Sequence, residues 1–269
     1  KALKNLLESP FRGPVYAVNP KESEVQGVKC YSKVDDLPQV ECAILCIAAK
    51  FCAQTVDVLA KEKGCKGFII ISAGFSEESH EGAEIEKHIV DTINSVGGSL
   101  IGPNCTGFLN VNYAGCFDTP IPKLDPKGVD FITGSGATAV FIKEYGMSNG
   151  LKFNSVWAVG NSAQLGIEDV LEHLDKTFDP VKSSHVIMLY MEKIGDPDRL
   201  LKHSRSLINK GCHIAAIKSG GSAAGSRAAS SHTGALATND AAVDALFQKA
   251  GIVRCHNRQE LTTVCAVFM

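Results

Sequence analysis

Short apolar runs and amphipathic stretches alternate from one end of the chain to the other. In the first part, Val15–Val18, Ala43–Ile47, Phe68–Ser72 and Ser99–Ile101 read as short buried strands, and Phe51–Lys63 and Glu81–Ser95 place apolar residues at helical intervals between the later ones. Strands that alternate with helices imply βαβ units around a parallel sheet. Asp118–Gly128 breaks the pattern with Pro120, Pro122 and Pro126 among Lys and Asp, a composition suited to an extended linker. A second alternation follows: strands near Val129–Thr133, Ser155–Val159, His185–Tyr190 and Ile214–Lys218, and helices at Ala137–Ser148, Ile167–Leu174, Asp198–Lys210 and Asp240–Ala250. The pattern predicts an α/β chain of two doubly wound domains, residues 1–122 and 123–269.

The two ends depart from that scheme. A nucleotide-binding sheet ordinarily opens with a strand and a Gly-rich turn that sets a pyrophosphate against a helix N-terminus. Here Lys1-Ala2-Leu3-Lys4-Asn5-Leu6-Leu7 reads as helix, so the opening strand and Gly-rich loop of the first domain are expected to be missing. Glu260–Met269 stops inside an apolar helical pattern with no capping signal. Both features are expected of a piece of something longer.

Composition narrows the function more than the fold. With 269 residues, 45% hydrophobic and 21% charged, the chain is ordinary globular material of two-domain length. Lys plus Arg total 27 against 29 Asp plus Glu without blocks of like charge, so neither nucleic acid nor an anionic membrane is an expected partner, and a small molecule is. No apolar run reaches the ~18 residues of a membrane span, and Lys1–Leu7 does not form a signal peptide. A cytoplasmic location is expected. The ten cysteines, among them Cys42, Cys46, Cys65 and Cys265, are spread through apolar segments and read as buried thiols. Cys42, Cys46 and Cys52 lack the paired spacing of zinc or redox sites, and no metal is expected on this chain.

Candidate chemistry concentrates in Lys218–Ala237, a long stretch of Gly, Ala and Ser after a predicted strand. It has too little side-chain volume for a core, while its many backbone N–H groups, with Lys218 and Arg227, suit an anion. His232 is its large polar residue, and an imidazole with an ordinary pKa of about 6.5 offers a neutral ring nitrogen as nucleophile or base. A loop whose histidine only bonds the backbone fits the same letters. Three other segments fall at predicted strand C-termini, where open α/β sheets hold ligands. Thr133-Gly134-Ser135-Gly136-Ala137-Thr138 precedes a helix; Glu192 follows an apolar strand; Ser72-Ala73-Gly74 and Gly102-Pro103-Asn104 form turns. Each is equally open to a plain reading, as a tight turn or a solvated glutamate.

Ser230-Ser231-His232-Thr233-Gly234-Ala235-Leu236-Ala237 resembles the swinging phosphohistidine loop of ADP-forming acetyl-CoA synthetases, relatives of the succinyl-CoA synthetase α subunit. Ile70–Glu77, Ile101–Gly107 and the strand ending Leu189-Tyr190-Met191-Glu192 match the same family in the same order, so the likeness covers nearly the whole chain. It implies a Rossmann-like CoA-binding domain followed by a flavodoxin-like, doubly wound succinyl-CoA-synthetase-type domain. The implied activity is an NDP-forming acyl-CoA ligase, an acid-thiol ligase with acetate as the expected acid. Acyl-CoA and phosphate give an acyl phosphate, which phosphorylates His232, and the phosphohistidine converts ADP to ATP. Glu192 would orient the histidine. Lys21, Ile47, Ser72, Ala73, Gly74, Pro103 and Asn104 would hold CoA, with Lys21 at its nucleotide end. Gly134, Ser135, Gly136, Ser231, Thr233 and Gly234 would hold phosphate.

Several positions depart from the family pattern. Gly134 stands where the family often shows Gln, Ala48 where it commonly has Pro, and Asn161-Ser162-Ala163-Gln164 where the usual run is Asn-Lys-Ala-Asp. No segment resembles an ATP-grasp module, and the P-loop pattern is absent. The ATP/ADP site, with its Mg, is therefore expected on another domain or subunit, in an oligomer, with His232 travelling between sites. Two rivals remain: a non-enzymatic CoA-binding regulatory module of a protein acetyltransferase, against which an intact His232 and Glu192 argue, and a nicotinamide-dependent dehydrogenase, which lacks its G-x-G-x-x-G signature.

Overall fold

The computed structural model describes residues 1–220 and 239–269. Helix α1 (Ala2–Glu8) leads into a small sheet of β1 (Ala17–Val18), β2 (Glu24–Val25) and β3 (Val28–Tyr31), in which β1 and β3 are parallel and β2 is antiparallel to β3. A second sheet holds β4 (Cys42–Leu45), β5 (Gly67–Ile70) and β6 (Ser99–Ile101), all parallel and in that order. Helices α2 (Ala49–Lys61) and α3 (His80–Ser95) connect them and pack Val56, Ile89 and Ile93 onto Phe68, Ile70 and Leu100. Ser79 starts α3 by accepting a hydrogen bond from the Gly82 N–H at 3.0 Å, which satisfies one of the free donors of the first turn. The expected strand at Val15–Val18 shrinks to the partly exposed pair Ala17–Val18 and belongs to a different sheet from β4, β5 and β6.

A hairpin, β7 (Gly107–Asn110) and β8 (Tyr113–Cys116), was not foreseen. Strand β7 pairs antiparallel with β10 (Phe153–Ala158), so the hairpin extends the second domain's sheet although it lies before residue 122. Trp157 packs on Phe108 with ring centroids 4.0 Å apart and planes tilted by 38°, which covers the join. Helix α1 lies on β8, where the buried Asn5 donates to the carbonyls of Cys116 and Asp118, each at 2.8 Å. Asp118 in turn pairs with Lys143, whose side chain is fully buried. Asp118–Gly128 is therefore not a free linker: a buried ammonium needs its counter-charge, so the chain is pinned at Asp118, and β9 (Leu124–Thr133) already begins within the segment. Pro126 precedes the paired part of β9, which starts at Val129, so its missing N–H removes nothing from that ladder.

The main sheet runs β13-β12-β11-β9-β10-β7-β8, with β11 (Val186–Met191), β12 (His213–Lys218) and β13 (Val253–Arg254) continuing the parallel set of β9 and β10. Alternation sends successive residues to opposite faces. Phe131, Met188 and Ala215 face the core under α4 (Gly136–Ser148) and α8 (Arg258–Phe268), while Ile132, Leu189 and Ala216 face α5 (Ile167–Thr177), α6 (Pro197–Asn209) and α7 (Asp240–Ala250). Burying a side chain such as Phe131 contributes about 1.5–3 kcal/mol. Because both faces are covered, these strands are continuous apolar runs. Among the described residues no helix is long and apolar enough to cross a membrane.

All ten cysteines are free thiols, and seven are buried. Cys42 and Cys46 are exposed, against the expectation that they are core residues, because β4 is an edge strand and both sit at its ends. Burial pushes the Cys105 and Cys65 thiols up to about 12, which leaves them protonated and inert.

Candidate active site

Numbered within the second domain, the parallel strands β10-β9-β11-β12-β13 have the order 2-1-3-4-5. Connections leave β9 toward β10 on one side and arrive at β11 on the other, so a crevice opens beyond the carboxyl ends of β9 and β11, where such sheets bind ligands. Gly134 follows β9 and Glu192 follows β11. They share a cleft of about 810 Å³, which reaches Asn104, Cys105 and Thr106 of the first domain and Asn161, Glu168, Lys193 and Arg199 of the second.

The turn into α4 is fastened to itself and to the sheet. Gly134 N–H donates to the Tyr190 carbonyl at 3.0 Å and Ser135 N–H to Thr133 Oγ1 at 3.1 Å. Ser135 caps the helix with its hydroxyl near the Thr138 N–H. The N–H groups of Gly136 and Ala137 are left without a partner among the described residues. Two open donors at a positive helix end have the chemistry to take up an anion. Of the candidate phosphate contacts Gly134, Ser135 and Gly136, only Gly136 thus offers a free N–H, and Ala137 supplies the second.

The first domain's turns meet at one edge of its sheet, and of them Asn104 also lines the cleft. Ser72 Oγ donates to the Ile47 carbonyl, and Asn104 N–H to the Ser72 carbonyl at 2.8 Å, so Ile47, Ser72, Ala73, Gly74, Pro103 and Asn104 form one rim at the carboxyl ends of β4, β5 and β6. Lys21 is exposed beyond β1, on the separate sheet, with its N–H donating to Asn19 Oδ1 at 2.9 Å.

Residues 160–164 strap the domains together at this rim. Asn161 N–H donates to the Pro103 carbonyl at 3.0 Å and Ala163 N–H to the Gly102 carbonyl at 3.2 Å. Gly160 has φ +57°, and a Cβ there would lie 2.2 Å from the Pro103 carbonyl oxygen, so only glycine permits this approach. The Asn161 amide donates to Glu77 and, at 3.1 Å, to Glu86. Gln164 accepts from the Leu100 N–H at 2.6 Å and donates to Asn94 Oδ1 at 2.6 Å, which closes the side of β6. Burial raises the Glu77 carboxyl, but donors from Asn161 and from the Gly74 and Phe75 amides outweigh it and hold the group below its usual range.

The remaining charges in the cleft separate into bound and unbound. Glu168 is buried and accepts from the Gly195 and Asp196 N–H groups at 2.8 and 3.2 Å, while Asp169 and Glu172 hold Arg199. Asp196 caps α6. Glu192 has no hydrogen-bond or ion-pair partner among the described residues, and Lys193 donates only to the Asn161 carbonyl, at 2.8 Å. On the other side of Glu192 lies Lys218, paired in register with Met191; its ammonium donates to the Ser219 carbonyl at 2.7 Å, and burial lowers its pKa. A second hollow of about 650 Å³ opens past Lys218, lined by Phe141, Arg254 and His256. His232, Ser231, Thr233 and Gly234 lie outside the described residues. Among the described residues no group of three or more His, Cys, Asp or Glu is placed to hold a metal.

Glu77, Asn161, Gln164, Glu168 and Lys193 were not among the residues singled out for the site. Asn161 and Gln164 showed in the sequence only as the two ends of a run, Asn161-Ser162-Ala163-Gln164, that departs from the family's Asn-Lys-Ala-Asp.

Comparison with known proteins agrees with this architecture. The family model described as a CoA binding domain matches residues 1–111, and that described as a succinyl-CoA ligase like flavodoxin domain matches residues 126–268. The chain is 36% identical over 262 residues to an ADP-forming acetate–CoA ligase I of Archaeoglobus fulgidus, covering 96% of this chain and 37% of that protein. It is 36% identical over 269 residues to the α subunit of an ADP-forming acetate–CoA ligase II of Pyrococcus furiosus, covering all of this chain and 57% of that one. A solved structure of a dinucleotide-forming acetyl-coenzyme A synthetase 1 from Ca. Korarchaeum cryptofilum, in complex with phosphate and ADP, superposes with a TM-score of 0.89 at 31% identity, covering 99% of this chain and 56% of that one. The chain thus spans between about a third and somewhat over half of the length of these relatives. With a family match over more than half of its residues and the 2-1-3-4-5 sheet that the match implies, the chain belongs to the succinyl-CoA-ligase-like family, its flavodoxin-like domain preceded by a CoA-binding domain.

Proposed function

We propose that this chain is the CoA-binding and phosphohistidine-bearing part of a cytoplasmic NDP-forming acyl-CoA ligase, with acetate as the acid and ADP as the acceptor. Residues 1–122 are the CoA-binding unit and 123–269 the unit that carries the histidine. The observation that carries the reading is the switch-point cleft, where Gly136 and Ala137, whose N–H groups have no partner among the described residues, and Glu192, whose carboxylate has none among them either, share the lining with Asn104 at the end of the first domain's rim. The ADP-forming ligases among its relatives, and the phosphate and ADP bound to the similar acetyl-coenzyme A synthetase, support it.

CoA lies along the rim with its thioester toward α4. A phosphate oxygen attacks the acyl carbon, the C–S bond breaks, and the thiol leaves with a proton. The helix terminus balances the charge of the acyl phosphate. A ring nitrogen of His232 then attacks phosphorus, the P–O bond to the acyl group breaks, and the carboxylate departs. Glu192 accepts a hydrogen bond from the other ring nitrogen, which fixes the tautomer and stabilises the charged ring. The phosphoryl group passes to ADP at a site on an ATP-grasp subunit or domain, which also holds Mg. The chain supplied with that partner and ATP labelled in the γ-phosphate is expected to take up acid-labile, base-stable label; His232→Ala abolishes labelling and keeps CoA binding. Label that persists in the variant refutes the assignment.

A further inference from the structure

The geometry points to Lys193 as the residue that grips the oxyanion of the reacting small molecule, an inference that rests on the ligase reading of the same cleft. An anionic substrate entering this space meets mostly carboxylates, so it needs a cation that is not already neutralised. Arg199 is not available, because Asp169 and Glu172 both pair with it. Lys218 lies across Glu192, in the neighbouring hollow. Lys193 has no carboxylate within ion-pair distance among the described residues and uses one of its three donors, on a neutral carbonyl. It lines the cleft directly after Glu192.

The placement is built rather than accidental. Lys193 and Glu192 both line the cleft, yet the Lys193 ammonium bonds the Asn161 carbonyl and forms no ion pair with Glu192. Its ammonium is tethered to the Asn161 carbonyl at 2.8 Å, and Asn161 is itself fixed by its own N–H on Pro103 and its amide on Glu77 and Glu86. A tethered ammonium loses less freedom when it takes up an anion than a solvated one. Two donors remain for an oxygen ligand, on the wall that joins the CoA rim to the α4 terminus. The chemistry selected is a small oxyanion: inorganic phosphate, or the carboxylate of the acid.

The test uses the chain itself. Binding of labelled phosphate, and separately of acetate, is measured by equilibrium dialysis with CoA present, for wild type, K193Q and K193R. Lys193→Gln is expected to weaken one of the two anions by roughly tenfold or more, the worth of a charge-assisted hydrogen bond, and Lys193→Arg to stay within about threefold; CoA affinity stays unchanged in both. Loss on the phosphate arm assigns Lys193 to the attacking phosphate, and loss on the acetate arm to the acyl carboxylate. Unchanged binding of both anions in K193Q, or a wild-type chain that binds neither, overturns the assignment. CoA binding in the same samples reports on the ligase reading separately, since CoA bound without either anion removes Lys193 alone.

Discussion

Asp130 is the buried charge whose removal has the most calculable effect. Its side chain sits on β9 at 3% exposure, where burial pushes its pKa up to about 6 from the ordinary 3.8, against hydrogen bonds from Ser155 at 2.5 Å and Asn154 at 2.8 Å that favour the ionised form. A folded-state pKa above the unfolded one means that the carboxyl favours folding below about pH 4. That contribution is lost as pH rises toward and through 6. The difference of about two units corresponds to ~3 kcal/mol, the cost of keeping the ionised group in the interior at neutral pH. Asparagine keeps an oxygen to accept from Ser155 and Asn154 and removes the charge. Asp130→Asn is therefore expected to raise stability at pH 7.5 by about 1–3 kcal/mol, equivalent to roughly 2–10 °C in Tm for a chain of this size. The gain should shrink to nothing by about pH 4. Urea or thermal unfolding of both proteins at pH 4.5, 5.5, 6.5 and 7.5 measures it. If the two curves run parallel across that range, Asp130 does not titrate there and the burial argument fails. The same asparagine has a structural duty, since Ser155 also accepts from Trp157 Nε1 at 2.8 Å and Trp157 holds Phe108 of the hairpin.

Gly160→Ala should cost at least about 2 kcal/mol, because it combines left-handed backbone with overlap on the Pro103 carbonyl; a Tm within a degree of wild type would show that the strap is not rigid. Gly134→Gln should fold normally, with Tm within about 2 °C, since its φ is not left-handed and the nearest atom to an added Cβ is 3.8 Å away. In Asn161→Ala the Glu77 carboxyl loses a donor and its pKa rises. The stability that a depressed carboxylate pKa contributes is present above the ordinary 4.5 and lost as pH falls below it, so the variant's stability should depend less on pH between about 5 and 3, measurable by thermal unfolding. Glu192→Gln should slow labelling of His232 with little change in Tm, because no described residue depends on that carboxylate; an unchanged labelling rate counts against the orienting role.

Periodicity located the second domain's core because strands buried on both faces are continuous apolar runs, which Val186–Met191 and His213–Lys218 display. It missed β7 and β8, since Gly107–Asn110 and Tyr113–Cys116 are too short and mixed to show a period. It also read Asp118 as linker, because the partner that buries it, Lys143, lies 25 residues away on a helix. Position alone put Glu192 and the Gly134–Gly136 turn just past apolar strands, but a tight turn and a solvated glutamate fitted the same letters, and only the family resemblance made them site candidates. Asn161, Gln164 and Lys193 were not: each acts on a group from a distant segment, and no local pattern encodes such pairings.

Under the proposed function, the strap fixes the relative position of parts that come from two folds. A rim on β4, β5 and β6 and a helix terminus after β9 would otherwise be free to shift, and a displacement of about 1 Å between reacting groups can cost on the order of a hundredfold in rate. Here Gly102 and Pro103 give their carbonyls to Ala163 and Asn161, Gln164 ties to β6, and the hairpin before β9 is itself part of the large sheet. The crossing contacts are mostly to backbone atoms, whose positions vary little with side-chain identity. Substitutions on the rim can then change which ligand is held without changing where the α4 terminus points, whereas a change at Gly160 moves both at once.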